Sequence, residues 1–187
     1  RDVLQLLGHG AAVDSFVADT TVPETQVLHA EVTLAESAAE VVALLKSDRV
    51  FNIAAQWIGE VGRSDVIGLG ISVVVEQSST MWVPVALLRD VDVQKSLQSC
   101  AFRAHDAKPI MRSLLPLGID LQGLVLDTAI AAYLIDPAQT KYSLADLVVK
   151  YSGVRYPEDD AASSGQLDLD ATGVDDAQRA GRDALAT

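Results

Sequence analysis

Three apolar runs in quick succession constrain this chain most: about 50–57, about 66–76 and about 81–88. The first connection carries Gly59, Gly62, Ser64 and Asp65, and the second is Gln77-Ser78-Ser79-Thr80. Polar links this short join antiparallel neighbours, so the three runs are expected to form an antiparallel unit. Ile67, Leu69, Ile71, Val73 and Val75 alternate with small or polar residues, which gives the middle strand one buried face. Val50–Trp57 reads as a strand deep in the core. Pro84 offers no ladder hydrogen bond and marks the third strand as an edge.

Outside this unit the period changes. Gln26–Val32 reads as an edge strand. Thr33 or Ser37 can cap a helix to about Lys46 whose apolar face is Val41, Val42, Leu44 and Leu45. A helix is expected over about 91–98, an extended Cys100–Arg103, and a helix over about 106–116 with Pro109 in its first turn. Leu124–Leu126 forms a brief strand, and Asp127 or Thr128 caps a helix over about 128–135 that Asp136-Pro137 stops. Ser143 caps a further helix to about Lys150. Three antiparallel strands first, then shorter strands alternating with helices, describe a three-layer α/β/α domain around a mixed sheet. After Pro157 the chain turns acidic and Ser/Gly-bearing, with order returning near Val174. Residues 1–25, with their Gly8/Gly10 break and polar Asp19–Glu24 stretch, read as the tail of an upstream domain and a linker. Both ends look cut, so a fragment of a longer polypeptide is expected.

Bulk properties exclude several functions. A length of 187 residues suits one domain with a substantial core. A net charge of -12 argues against gripping a phosphate backbone unaided. Cys100 is the sole cysteine, which rules out an internal disulfide and fits a reducing cytoplasm. No secretory or membrane segment is evident. His9, His29 and His105 lie on separate elements without metal-ligand spacing. Ser113 and Ser143 lack a histidine base. Gly68-Leu69-Gly70 sits inside a strand, so the dinucleotide fingerprint fails. Glu158-Asp159-Asp160 and the later Asp168, Asp170, Asp175 and Asp176 lack calcium-loop spacing and read as a solvated loop.

One set of segments carries a family likeness: Phe102–Met111, then Leu124-Val125-Leu126-Asp127-Thr128 through Ala132-Tyr133-Leu134 to Asp136-Pro137, then Tyr142-Ser143-Leu144-Ala145-Asp146-Leu147. Together they resemble the 3′–5′ exonuclease domain of bacterial family A DNA polymerases, which has the DnaQ-like, ribonuclease H-like fold. The resemblance covers roughly residues 26–187. It implies a preceding 5′-nuclease domain and a following polymerase domain as partner in the same chain. It also implies DNA contact through that parent, and a cytoplasmic, nucleoid-associated setting.

Active members hold two divalent metals on four acidic residues. The resemblance places the first-motif Asp and Glu at Ala54 and Gln56. The second motif, an Asn and an aromatic before an Asp, has Phe102, His105 and Asp106 in those places. The third, a Tyr followed by an Asp, falls on Arg179 and Asp183. Asp106 and Asp183 are therefore the surviving acids, while Asp127 reads as a helix cap rather than a ligand. Asp106 also stands where a helix begins and reads as its cap or as a simply solvated acid, and Asp183 reads as a solvated acid on an acidic helix. Magnesium prefers hard, charged oxygen ligands, so no catalytic residue, metal site or cofactor is expected here; magnesium would serve the parent polymerase.

The expected function is that of an inactive proofreading-exonuclease-like structural domain of a polymerase acting in DNA replication and repair. Two alternatives stand beside it. One is an active exonuclease with displaced ligands such as Glu60, Asp65 or Glu76. The other is an interaction module that uses the acidic 157–176 loop.

Overall fold

In the computed structural model, which describes residues 26–47, 49–73, 79–157 and 172–187, the chain opens with strand β1 (Val32–Leu34) and helix α1 (Ala38–Leu45). Next come β2 (Val50–Trp57), β3 (Val66–Val73), β4 (Ser79–Pro84), α2 (Val85–Leu88) and α3 (Val91–Ser99). The remainder comprises β5 (Ala101–Ala104), α4 (Ala107–Leu114), β6 (Leu124–Asp127), α5 (Thr128–Ile135), α6 (Leu144–Ser152) and α7 (Thr172–Ala186). The six strands form one sheet in the order β1-β4-β3-β2-β5-β6. β2, β3 and β4 pair antiparallel as their short links dictate, while β1, β5 and β6 join in parallel. A mixed sheet results.

Helix starts follow local chemistry. Ser37 accepts the Glu40 N–H, Asp90 those of Asp92 and Val93, and Ser143 that of Asp146. Each such cap contributes about 1 kcal/mol by satisfying an orphan donor. Pro109 is the third residue of α4, where a missing N–H breaks no helical bond.

The sheet separates two cores. On one face Phe51, Ile53, Leu69, Ile71 and Phe102 pack against Val41, Leu45, Leu88, Leu97 and Leu114 from α1, α2, α3 and α4. On the other face Trp82 packs against Ala177 and Ala180 of α7. β3 is therefore covered on both sides. Its register explains a departure from strict alternation. Gln56 pairs with Gly68 but Trp57 pairs with Val66, so Ile67 is an inserted bulge residue. Ile67 consequently packs with Trp82, on the side opposite Leu69 and Ile71.

Three other expectations are corrected. Residues 26–31 do not join the sheet: Val27 instead bridges Arg155, and the strand begins at Val32. The third strand ends at Pro84, and residues 85–88 form α2. Pro84 is not on an edge strand, because β4 lies between β1 and β3. β1 reaches only Thr80, Met81 and Trp82, so Pro84 stands past its end and takes the N-cap place of α2. The expected continuation of β3 through Val75 and Glu76, residues 1–25 and most of the acidic loop lie outside the described residues.

Candidate functional site

β2 is central, between β3 and β5. Since Phe51, Ile53 and Ala55 enter the main core, the alternate residues Asn52, Ala54 and Gln56 face α7. α7 can lie this close because the cross-strand partner of Ala54 is Gly70. A Cβ there would sit 2.3 Å from the Ala180 carbonyl oxygen, and one on Gly181 would sit 2.3 Å from Val32 Cγ2. Backbone therefore rests almost directly on backbone. One turn beyond Ala180, on the same side of the helix, comes Asp183.

Asp183, Ala54, His105 and Asp106 line one cleft of about 210 Å³. Three of the four positions singled out from sequence thus converge. Gln56 is buried two residues along the same strand, outside that lining. Phe102 is fully buried in the main core, and Arg179 lies half-buried one turn before Asp183.

Asp106 sits at φ 53°, the sole non-glycine residue with positive φ among the described residues. Its side chain makes no capping hydrogen bond, so of the two readings, cap or solvated acid, the cap is ruled out. The buried carboxylate of Asp127 takes that work instead. It accepts the Asp106 N–H at 3.1 Å and the Ala107 N–H at 2.7 Å, together with those of Ala129 at 2.9 Å and Ile130 at 3.3 Å. One carboxylate thereby starts both α4 and α5. Sequence pattern disclosed its cap on α5; the second role depends on β5 and β6 being neighbours, which no local signal reveals. Freed from capping, Asp106 is left exposed at the rim of the cleft.

His105 Nδ1 lies 2.9 Å from Thr128 Oγ1. Burial lowers the imidazole pKa from its ordinary value, and the carboxylates of Asp127, Asp106 and Asp183 oppose that without reversing it. The ring is therefore neutral near neutral pH. Tyr156, which sequence reasoning missed, donates its hydroxyl hydrogen to Asp183 Oδ1. Burial, then the charge of Asp183, raises the pKa of this phenol. A tyrosine does meet the last-motif acid, but it comes from the segment after α6 rather than from α7.

The donor set can be tested against a divalent pair. Ala54 supplies no oxygen, Gln56 has only a neutral amide, and Asp183 is engaged by a phenol. Among the described residues no group of three or more His, Cys, Asp or Glu side chains could hold a metal ion. The residues present do not fit a two-metal centre, whose hard cations require several charged oxygens at about 2.0–2.1 Å. Glu60 pairs with Arg63 at 2.7 Å on the exposed β2–β3 connection, and Asp65 is exposed on the same loop. Neither lines the cleft, and Glu76 lies outside the described residues.

No protein-family model matches the chain. DNA polymerase I of Mycobacterium leprae (strain TN) is 41% identical over 66 residues, which are 35% of this chain and 6% of that protein. The solved POL domain of Pol1 from M. smegmatis, in complex with DNA primer-template and dNTP, aligns at 26% identity and TM-score 0.56 over 82% of this chain. The chain is related to DNA polymerase I. It spans only 28% of that M. smegmatis polymerase chain. Escherichia coli RNase D, an exoribonuclease involved in structured RNA processing, matches at TM-score 0.61 and 12% identity over 83% of this chain and 42% of its own. That likeness shows the fold, the ribonuclease H-like architecture of DnaQ-type exonucleases. This polymerase I-related domain is exonuclease-like in fold. No helix among its described residues is long and apolar enough to cross a membrane.

Proposed function

We propose that this chain is a catalytically inactive exonuclease-like domain of a cytoplasmic DNA polymerase I, retained as a structural support for the polymerase domain. The observation that carries the reading is the pairing of Ala54 with an otherwise converged cleft: the strand, the crossing helix and two acids are in place, but the central strand brings no carboxylate. Removing one oriented electrostatic element from an active site costs roughly two to three orders of magnitude in rate, and here two charged oxygen donors are missing together. Residues 1–25 belong to the tail of an upstream domain and its linker, and residues 26–187 to this domain. The parent performs template-directed synthesis with magnesium and holds DNA, which this acidic domain does not grip alone.

Surface chemistry supports the scaffolding role. β6 and α5 expose the large apolar side chains Val125, Ile130, Leu134 and Ile135 at 59%, 57%, 73% and 68%. Beside them an apolar groove of about 430 Å³ runs between α5, α6 and the end of α7. Such a surface suits burial against a neighbouring domain.

The test is direct. The domain is incubated with a labelled single strand and Mg²⁺ or Mn²⁺, and no mononucleotide release above background is expected. Release that Asp106→Ala abolishes would overturn the reading and favour an exonuclease with displaced ligands.

A further inference from the structure

The segment upstream of β1 reaches the cleft through consecutive residues after α6. Leu28 donates its N–H to the Arg155 carbonyl at 2.9 Å, and Arg155 donates its own to the Gln26 carbonyl at 2.8 Å. These two bonds close the parallel bridge at Val27 and Arg155. The next residue, Tyr156, donates to Asp183, and the Arg182 guanidinium carbon lies 5.3 Å from the centre of its ring. Holding the Arg155 backbone from both sides limits where the phenol of its neighbour can reach. A parallel route exists, since Leu28 lines the apolar groove together with Leu185 and Ala186, which follow Asp183 on α7.

We propose that Tyr156 is a positioning residue that couples the upstream segment Gln26–Leu28 to the orientation of Asp183 in the cleft. An aspartate on a helix has several staggered side-chain states, and a hydrogen bond from a fixed donor selects one of them. Coupling of this kind is reciprocal, so loosening the phenol must loosen the bridge as much as loosening the bridge frees the phenol. The inference goes beyond the reading of the domain as inactive and holds whether or not the cleft turns anything over. Its consequence is that a change in the segment entering the domain is felt at the acid that still marks the cleft.

Tyr156→Phe in the 187-residue chain tests it, because that change removes one hydroxyl and keeps the ring. Amide hydrogen exchange at Leu28 and Arg155 is measured against the amides of β2 and β3, and the ¹³C shift of the Asp183 carboxyl is followed. The expected result is exchange faster by about fivefold to tenfold at Leu28 and Arg155 relative to β2 and β3, the effect of losing one ordinary hydrogen bond, with a displaced Asp183 signal. Asp183→Asn serves as the second variant: it keeps an acceptor oxygen and should give a smaller increase in the same two amides. A general loss of stability would raise all the amides alike, and an unchanged ratio overturns the proposal. So does a displaced Asp183 signal with unaltered exchange at Leu28 and Arg155, since the phenol would then touch the acid without transmitting anything.

Discussion

Returning the two acids to β2, as Ala54→Asp with Gln56→Glu, should destabilise the domain unless a divalent metal is supplied. Both positions are buried, at 8% exposure each, on the strand face covered by α7. Two residues along a strand place the new carboxylates about 6.6 Å apart. At an effective dielectric constant of about 20, two unit charges at that separation repel by about 2.5 kcal/mol. Asp183 and Asp106 line the same cleft as Ala54 and add to the repulsion. A loss of about 3–5 kcal/mol follows, or roughly 10 °C in Tm for a domain of this size. The sign of the pH dependence is fixed. Burial and repulsion raise the folded-state pKa of each new carboxyl above its unfolded value of about 4, so stability is intact below about pH 4 and lost as pH rises through the folded-state value. Calorimetry of the variant and the parent chain at several pH values, with EDTA and then with excess Mg²⁺, reads this out. Recovery with Mg²⁺ is expected for the variant only. Equal melting of the two proteins in EDTA near neutral pH would refute the idea that the missing acids relieve the cleft of charge.

Other outcomes are equally concrete. Asp127→Ala strands four backbone N–H groups at the starts of α4 and α5, and should cost about 3–5 kcal/mol in urea unfolding, since each bond to a charged acceptor contributes about 1.5–3 kcal/mol before relaxation. Gly70→Ala drives a methyl into the Ala180 backbone, so α7 must lift. A loss of about 3 kcal/mol is expected, with a red-shifted Trp82 emission as its packing against Ala177 and Ala180 opens. Burial pushes the Cys100 thiol up from 9.0 to about 11. Because the folded-state value is raised, the stability tied to the protonated thiol is whole below about pH 9 and lost as pH climbs through about 11. A thiol reagent near pH 8 should therefore label Cys100 at the rate of global opening, whereas immediate labelling would contradict its burial.

Much of the architecture was legible because the deciding signals are local. Short polar links set the antiparallel trio, and Ser37 and Ser143 are ordinary caps at the starts of their helices. The misreadings share a cause, which is that the partner sits far away in sequence. Pro84 looked like an edge residue because nothing nearby states that β1 stops at the level of Trp82. Ile67 fits the alternation perfectly in sequence, and only the register against Trp57 shows it to be the bulge. In the cleft, Ala54, Asp106 and Asp183 could be placed through the family likeness. The capping of α4 by Asp127 and the approach of Tyr156 depend on side chains meeting across 20 residues or more. Of the two readings of Asp106, the cap fails for the same reason, because Asp127 is the better-placed acid, while the solvated acid stands.

The close seat of α7 on β3 also sets a timetable for synthesis. Roughly 90 residues separate the end of β4 from the start of α7. At about 5–20 residues per second, the sheet face that α7 covers waits some 5–20 s in water while the intervening chain is made. The residues across its middle suit that wait. Asn52, Ser72 and Thr80 are cross-strand neighbours, buried in the finished domain, and their side-chain oxygens have no hydrogen-bond partner among the described residues. Those oxygens are better solvated before α7 arrives than after. A hydrophilic stripe on a half-built sheet discourages a second nascent chain from docking there, at some expense in final stability.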